Sequence, residues 1–205
     1  CSPEGNFAKL KEFGHDPSAG YRGHKADIYE GGHRVPFLAR WPKAIKAGRK
    51  TNALTCLTDL YDTMRDITGQ PKIDNGGEDS FSLLPAFKGK PKTTRSTLIS
   101  HSISGHFSIR QGDWKLCLSA GSGGWSAPKE NEAKKQGLTP IQLFNLKQEK
   151  SEKTNLQGKN KAKVKELIEV LDKEVRNGRS SSGKKVPNDR EVSYLPKGFT
   201  LPKSN

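Results

Sequence analysis

The chain has 205 residues, of which 31% are hydrophobic, and its formal net charge is +14. This length suffices for one domain with its own core, and no apolar run is long enough for a membrane-spanning helix. The positive charge favours anionic partners, but the lysines alternate with Glu, Gln and Asn rather than with aromatic residues. We therefore expect no membrane and no nucleic acid as partner. An acidic polysaccharide and a merely solubilising charge both stay open.

The three cysteines, Cys1, Cys56 and Cys117, form no CxxC pair and show no metal-ligand spacing. Neither a zinc site nor a disulfide framework is indicated, and at most one bridge could form. The redox compartment is therefore left open. Because the chain opens on a cysteine and not on a methionine, we expect a processed or truncated product.

The first half of the chain is predicted to contain a long irregular segment, one strand and one helix. Residues 1–34 are rich in glycine and show no sustained period. The apolar run at 35–41 is predicted to be a buried strand. A helix is predicted from an N-cap at Thr58 to about Thr68, where Gly69 ends it. Its apolar face, which we expect to pack on a core, consists of Leu57, Leu60, Tyr61, Met64 and Ile67.

The second half is predicted to form a small antiparallel sheet. A short helical piece at 81–87 precedes it, and Gln111-Gly112-Asp113 is typical of a tight hairpin turn. A long loop is expected at 120–139. The predicted strands span 96–101, 107–110, 114–119 and 141–146.

One helix is predicted at 160–177, after the sheet. Its apolar residues recur at helical spacing and form a single stripe, and Gly178 is placed to end it. A helix with one apolar stripe must pack on a partner, for which the sheet is the natural choice. Residues 179–205 are expected to be an extended or disordered tail. The stripe consists of Val164, Leu167, Ile168, Leu171 and Val175.

Few residues of this chain point to chemistry by their type and place alone. Lys25 lies between glycine and an aromatic residue, and a lysine ammonium is a compact donor suited to a tetrahedral oxyanion. Glu30 and Arg34 are four residues apart around two glycines, so they could pair and fix a turn. His101 and His106 bracket a Ser-Ile-Ser-Gly segment, where they could meet a sugar or a phosphate. For each residue, an ordinary surface or structural role stays open.

The chain contains no complete catalytic apparatus. HExxH, GxSxG, P-loop and DxDxDG patterns are missing, and His15, His24 and His33 lack the spacing of a helical metal pair. We therefore predict no metal site within the chain. Cys1-Ser2-Pro3 matches the start of a Cys-x-Pro-x-Arg signature, but Gly5 stands where the arginine should be. Cys1 is rejected as a nucleophile.

Four linked motifs between about residue 20 and residue 176 resemble the C-terminal part of the type I sulfatases (arylsulfatase and N-acetylgalactosamine-6-sulfatase-like enzymes) of the alkaline-phosphatase superfamily. The first is Gly23-His24-Lys25 with Glu30-Gly31-Gly32-His33-Arg34-Val35-Pro36 and Trp41-Pro42. The second is the helix that begins Asp59-Leu60-Tyr61, where Asp62 replaces a proline. The third is Arg110-Gln111-Gly112-Asp113-Trp114-Lys115-Leu116. The fourth is Gln142-Leu143-Phe144-Asn145-Leu146 with Thr154-Asn155-Leu156.

The resemblance implies a sulfate ester hydrolase with a formylglycine nucleophile and a calcium ion, both supplied by a part of the protein upstream of this chain. It implies that Lys25 is catalytic and holds a sulfate oxygen. Substrate contacts are expected from His24, His101 and His106, and Glu30 and Arg34 are expected to brace the turn. The substrate would be a sulfated polyanion or an aryl sulfate. The enzyme would be secreted or periplasmic.

The implied fold is α/β: the end of an alkaline-phosphatase-like α/β/α domain, followed by a small α+β domain with an antiparallel sheet and one packed helix. Residues 1–90 would belong to the large domain, 91–178 to the small one, and 179–205 to the tail. The remaining partner would be the rest of the sulfatase chain, without which this chain should be inactive. Two alternatives stay open, namely a phosphodiesterase or phosphatase of the same superfamily and a non-catalytic polyanion-binding module.

Overall fold

The computed structural model describes residues 5–90 and 95–200, so Cys1-Ser2-Pro3 lies outside the described residues. The described chain divides into two compact units. One comprises residues 5–35, 99–169 and 193–200, and the other comprises 36–98 and 170–192. The domain bounds expected at residues 90 and 178 refer to a complete enzyme and stay a prediction.

The described elements follow in the order of the chain. The helices are α1 (Phe7–Glu12), α2 (Glu30–His33), α3 (Asp59–Ile67), α4 (Leu84–Phe87), α5 (Glu130–Lys135) and α6 (Lys161–Asn177). The strands are β1 (Thr97–His101), β2 (Phe107–Gln111), β3 (Trp114–Cys117) and β4 (Gln142–Asn145).

The four strands form one sheet in the order β1-β2-β3-β4, which confirms the predicted grouping. Strands β2 and β3 pair antiparallel, with Gln111 opposite Trp114, so Gly112 and Asp113 alone make the turn. Gly112 has a φ of 58°, the left-handed conformation that such tight hairpins require. Strand β4 pairs antiparallel with β3 and completes the series.

The core of the first unit lies around the segment that follows Lys25. Ile28, Tyr29, Cys117 and Phe144 form one buried cluster. The Tyr29 hydroxyl donates to Gln142 Oε1 at 3.1 Å, so the buried phenol is paired. The start of α2 is thereby fixed against the sheet.

Helix α6 confirms the predicted element and its buried stripe. Val164, Leu167, Ile168 and Leu171 are at most 2% exposed. Gly178 follows the helix with a φ of 63°, as expected for a residue that ends it.

The strand predicted at 35–41 is wrong. These residues form no strand, and Val35, Phe37 and Leu38 are exposed. No backbone group from 35 to 40 pairs with another described residue. Without a paired neighbour, an apolar run has no ladder to join, however well its composition suits a strand.

Helix α3 has the predicted bounds, but the prediction that its apolar face packs on a core of this chain is wrong. Leu57, Tyr61 and Met64 are 67%, 48% and 53% exposed. The buried side is instead polar, because Asp59 pairs with the buried Arg95. Two further buried hydrogen bonds lie on that side. The Asp62 N–H donates to Ser80 Oγ, and the Leu83 N–H donates to Thr63 Oγ1. The hydrogen bonds of this polar side fix which face turns inward.

Two segments predicted to be irregular contain short helices. Residues 1–34 include α1 and α2, and the loop at 120–139 includes α5. After α6, residues 179–200 form no helix or strand, but Arg179 and Ser181 are buried. Arg179 donates to the Lys184 carbonyl at 2.8 Å, which folds the start of this segment back on itself.

Candidate functional site

Lys25 lies at the tip of a loop whose backbone is fixed and whose side chain is free. The residue is exposed, and its ammonium makes no hydrogen bond or ion pair with a described residue. The next residue, Ala26, has a φ of 84°, a conformation that costs about 1–3 kcal/mol for a residue with a Cβ. The Ala26 carbonyl accepts from the Ile103 N–H at 3.0 Å. The surrounding contacts therefore hold the loop in a strained shape beside the lysine.

Asp27 ties this loop to the segment 122–128, named here the Trp125 loop. Its carboxylate is fully buried, and Oδ1 accepts from the Trp125 N–H at 2.8 Å and the Ser126 N–H at 3.0 Å. Oδ2 accepts from the His24 N–H at 2.9 Å and from the Ser126 hydroxyl. One carboxylate thus binds backbone groups from both loops.

His24, Asp27 and Ser126 have the residue types of a serine-hydrolase triad, but their hydrogen bonds differ from it. The Ser126 hydroxyl donates directly to Asp27, so its proton is not directed at His24 Nε2, which lies 3.1 Å away. His24 Nδ1 is nearer to the Lys25 carbonyl, at 3.1 Å, than to Asp27 Oδ2, at 3.6 Å. A triad needs a base that takes the serine proton. This cluster therefore positions the loops and supplies no nucleophile.

The ring of His24 is itself held in place. It stacks on Phe7 with a centroid distance of 4.9 Å and an interplanar angle of 16°. The side chain remains 20% exposed, next to the exposed Lys25. Two of the expected substrate contacts are thus neighbours on one ordered loop.

Glu30 is the centre of a buried ion network beneath this loop. Its Oε2 accepts from Arg34 Nε at 2.7 Å and from Arg110 at 2.9 Å, and its Oε1 lies 3.1 Å from Lys115 Nζ. Lys115 Nζ is also 3.1 Å from Glu152 Oε1. Arg110 and Lys115 are direct cross-strand neighbours of like charge, and Glu30 binds both of them.

The network reaches the backbone of α2 through Glu152. Glu152 Oε2 accepts from the Glu30 N–H at 2.7 Å. This N–H belongs to the first helical turn and has no acceptor within the helix. The Glu152 carbonyl accepts from Arg22 at 2.7 Å, and the guanidinium of Arg22 lies 3.9 Å over the Tyr29 ring. The Glu-Gly-Gly motif is therefore locked at its first residue from two sides.

The buried charges shift one another's pKa values. Burial alone would raise the pKa of Glu30, but Lys115, Arg110 and Arg34 overcome this effect and lower it to about 2. Burial likewise opposes the charge of Lys115, yet nearby anionic groups, Glu152 and Glu30 among them, raise its pKa. Burial raises the pKa of Glu152, and Lys115 offsets only part of that shift.

His33, at the end of α2, is a partly buried neutral histidine. Burial, reinforced by the nearby Lys115 cation, lowers its pKa to about 4. Its Nε2 has no hydrogen-bond partner among the described residues. The imidazole therefore stays uncharged at neutral pH.

His101 and His106, the other two histidines expected to contact substrate, flank the loop at 102–105. His101 Nδ1 lies 3.0 Å from the Ser102 carbonyl, and His106 Nε2 lies 3.9 Å from Glu130 Oε1. This loop meets the Lys25 loop through the bond from Ile103 to Ala26. The structure thus brings together the loops that carry the expected contacts.

Several residues of this site escaped the sequence analysis. Asp27, Ser126, Lys115 and Glu152 were not proposed, although they fix the loop that carries Lys25. Only Lys115 had a usable signal, because strand alternation places it on the same face as the buried Cys117. The other contacts join residues that are far apart in sequence.

The described residues offer no metal site and no membrane span. His, Cys, Asp and Glu side chains of this part of the chain nowhere form a group of three or more that could hold an ion. Within residues 5–90 and 95–200, no helix has both the length and the apolar composition to cross a bilayer.

The chain was compared with known proteins, and no protein-family model matches it. The N-acetylgalactosamine-6-O-sulfatase of Bacteroides thetaiotaomicron is 31% identical over 162 residues, which cover 78% of this chain and 30% of that protein. Arylsulfatase A of Homo sapiens is 30% identical over 157 residues, or 72% of this chain and 31% of that protein.

A solved structure also matches this chain. It comes from work on the metabolism of multiple glycosaminoglycans by Bacteroides thetaiotaomicron and matches with a TM-score of 0.68 at 30% identity. The match covers 81% of this chain and 34% of the solved one. This chain thus spans about a third of the length of its relatives. The chain is therefore a homologue of the sulfatases and corresponds to their C-terminal part.

Proposed function

We propose that the protein to which this chain belongs hydrolyses sulfate esters of a sulfated glycan or an aryl sulfate, and that Lys25 binds a sulfate oxygen. The observation that carries the proposal is the Lys25 loop. An exposed ammonium without a described partner lies on a backbone fixed by Asp27 and Ile103. The homology to sulfatases supports the same reading.

Hydrolysis of a sulfate ester requires a positive group that is held beside the sulfate before the reaction begins. When the sulfuryl group leaves its ester oxygen, negative charge develops around the sulfur and on the leaving oxygen. An ammonium held at that position stabilises the developing charge without a reorganisation step. In this proposal Lys25 supplies this group, and His24, His101 and His106 contact the substrate. Glu30 and Arg34 hold the turn behind them.

The remaining chemistry belongs to the part of the protein upstream of this chain. The described residues do not fit a calcium site, because no carboxylates and histidines gather in a sufficient group. In this proposal, a formylglycine upstream of this chain would supply the nucleophile, and a calcium ion bound there would supply positive charge. The chain alone should therefore be inactive, and the complete enzyme should be secreted or periplasmic.

The rest of the sulfatase chain is the partner that we propose for the exposed apolar face of α3. Leu57, Tyr61 and Met64 leave this face open in a chain that spans only 30% of its bacterial relative. We expect Leu57→Ser with Met64→Ser to lower the melting temperature of the full-length enzyme. The same pair should leave the melting temperature of the 205-residue chain unchanged, and equal effects on both would contradict the proposal.

The decisive experiment is Lys25→Ala in the full-length enzyme, with turnover of a sulfate ester as the readout. We expect kcat/KM to fall by about two orders of magnitude or more, roughly 3 kcal/mol, as for the loss of one preorganised charged donor. Lys9→Ala removes another exposed lysine, in α1, and serves as the control. An unchanged rate for Lys25→Ala would rule out the assignment.

The same preparations test the two alternatives. A phosphatase or phosphodiesterase would turn over 4-nitrophenyl phosphate or its diester faster than 4-nitrophenyl sulfate. A polyanion-binding module would stay on a heparin column after Lys25→Ala and elute early when the α6 lysines are replaced. Two of these lysines already pair along the helix, Lys163 with Glu166 at 2.5 Å and Lys165 with Glu169 at 3.8 Å, which is typical of a solvated surface.

A further inference from the structure

Trp125 is a partly exposed aromatic residue held close to Lys25 along the hydrogen-bonded backbone. The residue is 39% exposed, and its backbone N–H donates to Asp27 Oδ1 at 2.8 Å. Asp27 is only two residues from Lys25. The same carboxylate thus fixes the backbone of the tryptophan and the turn that carries the lysine.

Further hydrogen bonds hold the backbone of the Trp125 loop. The Ser122 N–H donates to the Pro128 carbonyl at 2.9 Å, and the Ser122 carbonyl accepts from the Ile28 N–H at 2.8 Å. Gly124 lies so close to the Lys25 loop that a Cβ there would meet the Ala26 carbonyl oxygen at 2.4 Å. The backbone that presents Trp125 is therefore fixed before any ligand arrives.

The indole is not engaged by the described protein. No described aromatic or cationic side chain stacks on it, and its Nε1 donates no hydrogen bond to a described residue. Other aromatic rings of the same unit are engaged, such as Phe7 on His24 and Phe107 on Tyr194. An indole presents a flat apolar face and one N–H donor, and a tryptophan normally uses both.

A pyranose ring matches these two features. One face of the ring carries C–H groups that pack on an aromatic surface, and its edges carry hydroxyls that accept from N–H groups. A sulfate ester on the same sugar needs a cation a few atoms away, which is the role proposed for Lys25. We propose that Trp125 binds the sugar ring of a sulfated saccharide whose sulfate is held by Lys25.

This inference rests on the proposed sulfatase function and narrows it to sulfated saccharides. The test compares two classes of substrate on the full-length enzyme. One is a panel of 6-O-sulfated monosaccharides (N-acetylgalactosamine, N-acetylglucosamine and galactose), and the other is 4-nitrophenyl sulfate. The variants are Trp125→Ala, Trp125→Phe and, as a control that removes an exposed aromatic residue of the same unit, Phe13→Ala.

We expect Trp125→Ala to lower kcat/KM on the best saccharide by about tenfold, mainly through KM, as for the loss of one aromatic contact. The effect on 4-nitrophenyl sulfate should be less than twofold. Trp125→Phe should restore most of the saccharide activity, and Phe13→Ala should change the turnover of neither substrate. Lys25→Ala, in contrast, should impair both substrates.

Other outcomes overturn the proposal. Equal losses of kcat/KM on both substrates, or no loss on the saccharide, would show that Trp125 does not bind the sugar ring. Turnover of 4-nitrophenyl sulfate without turnover of any saccharide of the panel would do the same. Failure of the sulfatase function itself is recognised separately, because the wild type would then hydrolyse neither substrate class.

Discussion

The ammonium of Lys115 lies 3.1 Å from Glu30 Oε1, with both side chains almost fully buried. Lys115 is therefore a cation shared by two buried carboxylates, Glu30 and Glu152. We expect Lys115→Met to destabilise the fold by about 3–5 kcal/mol, because it leaves these carboxylates without their shared cation. Urea unfolding followed by circular dichroism measures the loss.

Arg34→Met is the matched control for this prediction. Arg34 binds the same carboxylate, but its side chain is 44% exposed, so water replaces much of the interaction. We expect a loss of about 1 kcal/mol or less. Similar losses for the two variants would show that burial of Lys115 is not what makes its contact strong.

His33 should make stability depend on pH between about 4 and 6.5. Its pKa is lowered from the ordinary 6.5 to about 4, so in this range the unfolded chain takes up a proton that the folded chain does not. Stability from this residue is therefore complete above pH 6.5 and is lost as the pH falls towards 4. The loss amounts to about 3 kcal/mol.

The comparison that isolates this effect is His33→Gln, whose side chain does not titrate. The free energy of unfolding is measured at several pH values between 7 and 4 for both proteins. Glu30 and Glu152 titrate in both, so their contributions cancel in the difference. The variant should lose less stability on acidification than the wild type, and identical slopes would contradict the assignment.

The elements that the sequence predicted well are those with a local cause. Strands β2 and β3 are joined at Gly112, where a two-residue turn requires a left-handed residue. Helix α6 follows from its apolar stripe and from Gly178. In both cases the deciding residues lie within one turn or one stripe, so the sequence of that segment suffices to predict the element.

The failures have causes that lie far away in the chain. A periodic pattern indicates which side of α3 is apolar, but Arg95 and Ser80 decide which side faces inward. The run at 35–41 has the composition of a strand, but a strand also needs a neighbour. Strand alternation places Lys115 on the face of Cys117, but its charge favours the surface until Glu30 and Glu152 are seen beside it, because lysine is rarely buried unless it is paired.

The site divides in the same way. Lys25 was reached through a motif, whereas the contacts of Asp27 with Trp125 and Ser126 span about a hundred residues and leave no pattern in the sequence. Lys25 could be proposed without the structure. The residues that fix its loop could not.

The two described cysteines should differ strongly in reactivity. Cys117 is a free, fully buried thiol, and burial raises its pKa to about 12, whereas the free thiol of Cys56 is partly accessible. Since the thiolate is the reactive form, we expect iodoacetamide to modify Cys56 in the native protein and Cys117 only after unfolding. Peptide mass mapping of the Cys1→Ser variant measures this. Native modification of Cys117 would contradict the buried placement.

Gly31, in the Glu-Gly-Gly motif, should tolerate no larger residue. A Cβ at this position would meet the Gly23 carbonyl oxygen at 2.3 Å and the Arg22 carbonyl oxygen at 2.5 Å. These are backbone atoms of the segment that leads into the Lys25 loop, so they cannot move aside as a flexible side chain would. The Gly31 N–H also donates to the Arg22 carbonyl at 2.8 Å, which fixes the two backbones at this distance.

We therefore expect Gly31→Ala to destabilise the fold by about 1–3 kcal/mol or more, as for other substitutions that overfill a packed site. Gly158→Ala is the matched control, because a Cβ there meets nothing within 4 Å. Urea unfolding of the two variants measures the difference in the free energy of unfolding. In the full-length enzyme, Gly31→Ala should also lower kcat/KM on 4-nitrophenyl sulfate, since it pushes α2 away from the backbone at Arg22 and Gly23, which leads into the Lys25 loop. Equal stabilities for the two variants would contradict the close approach at Gly31.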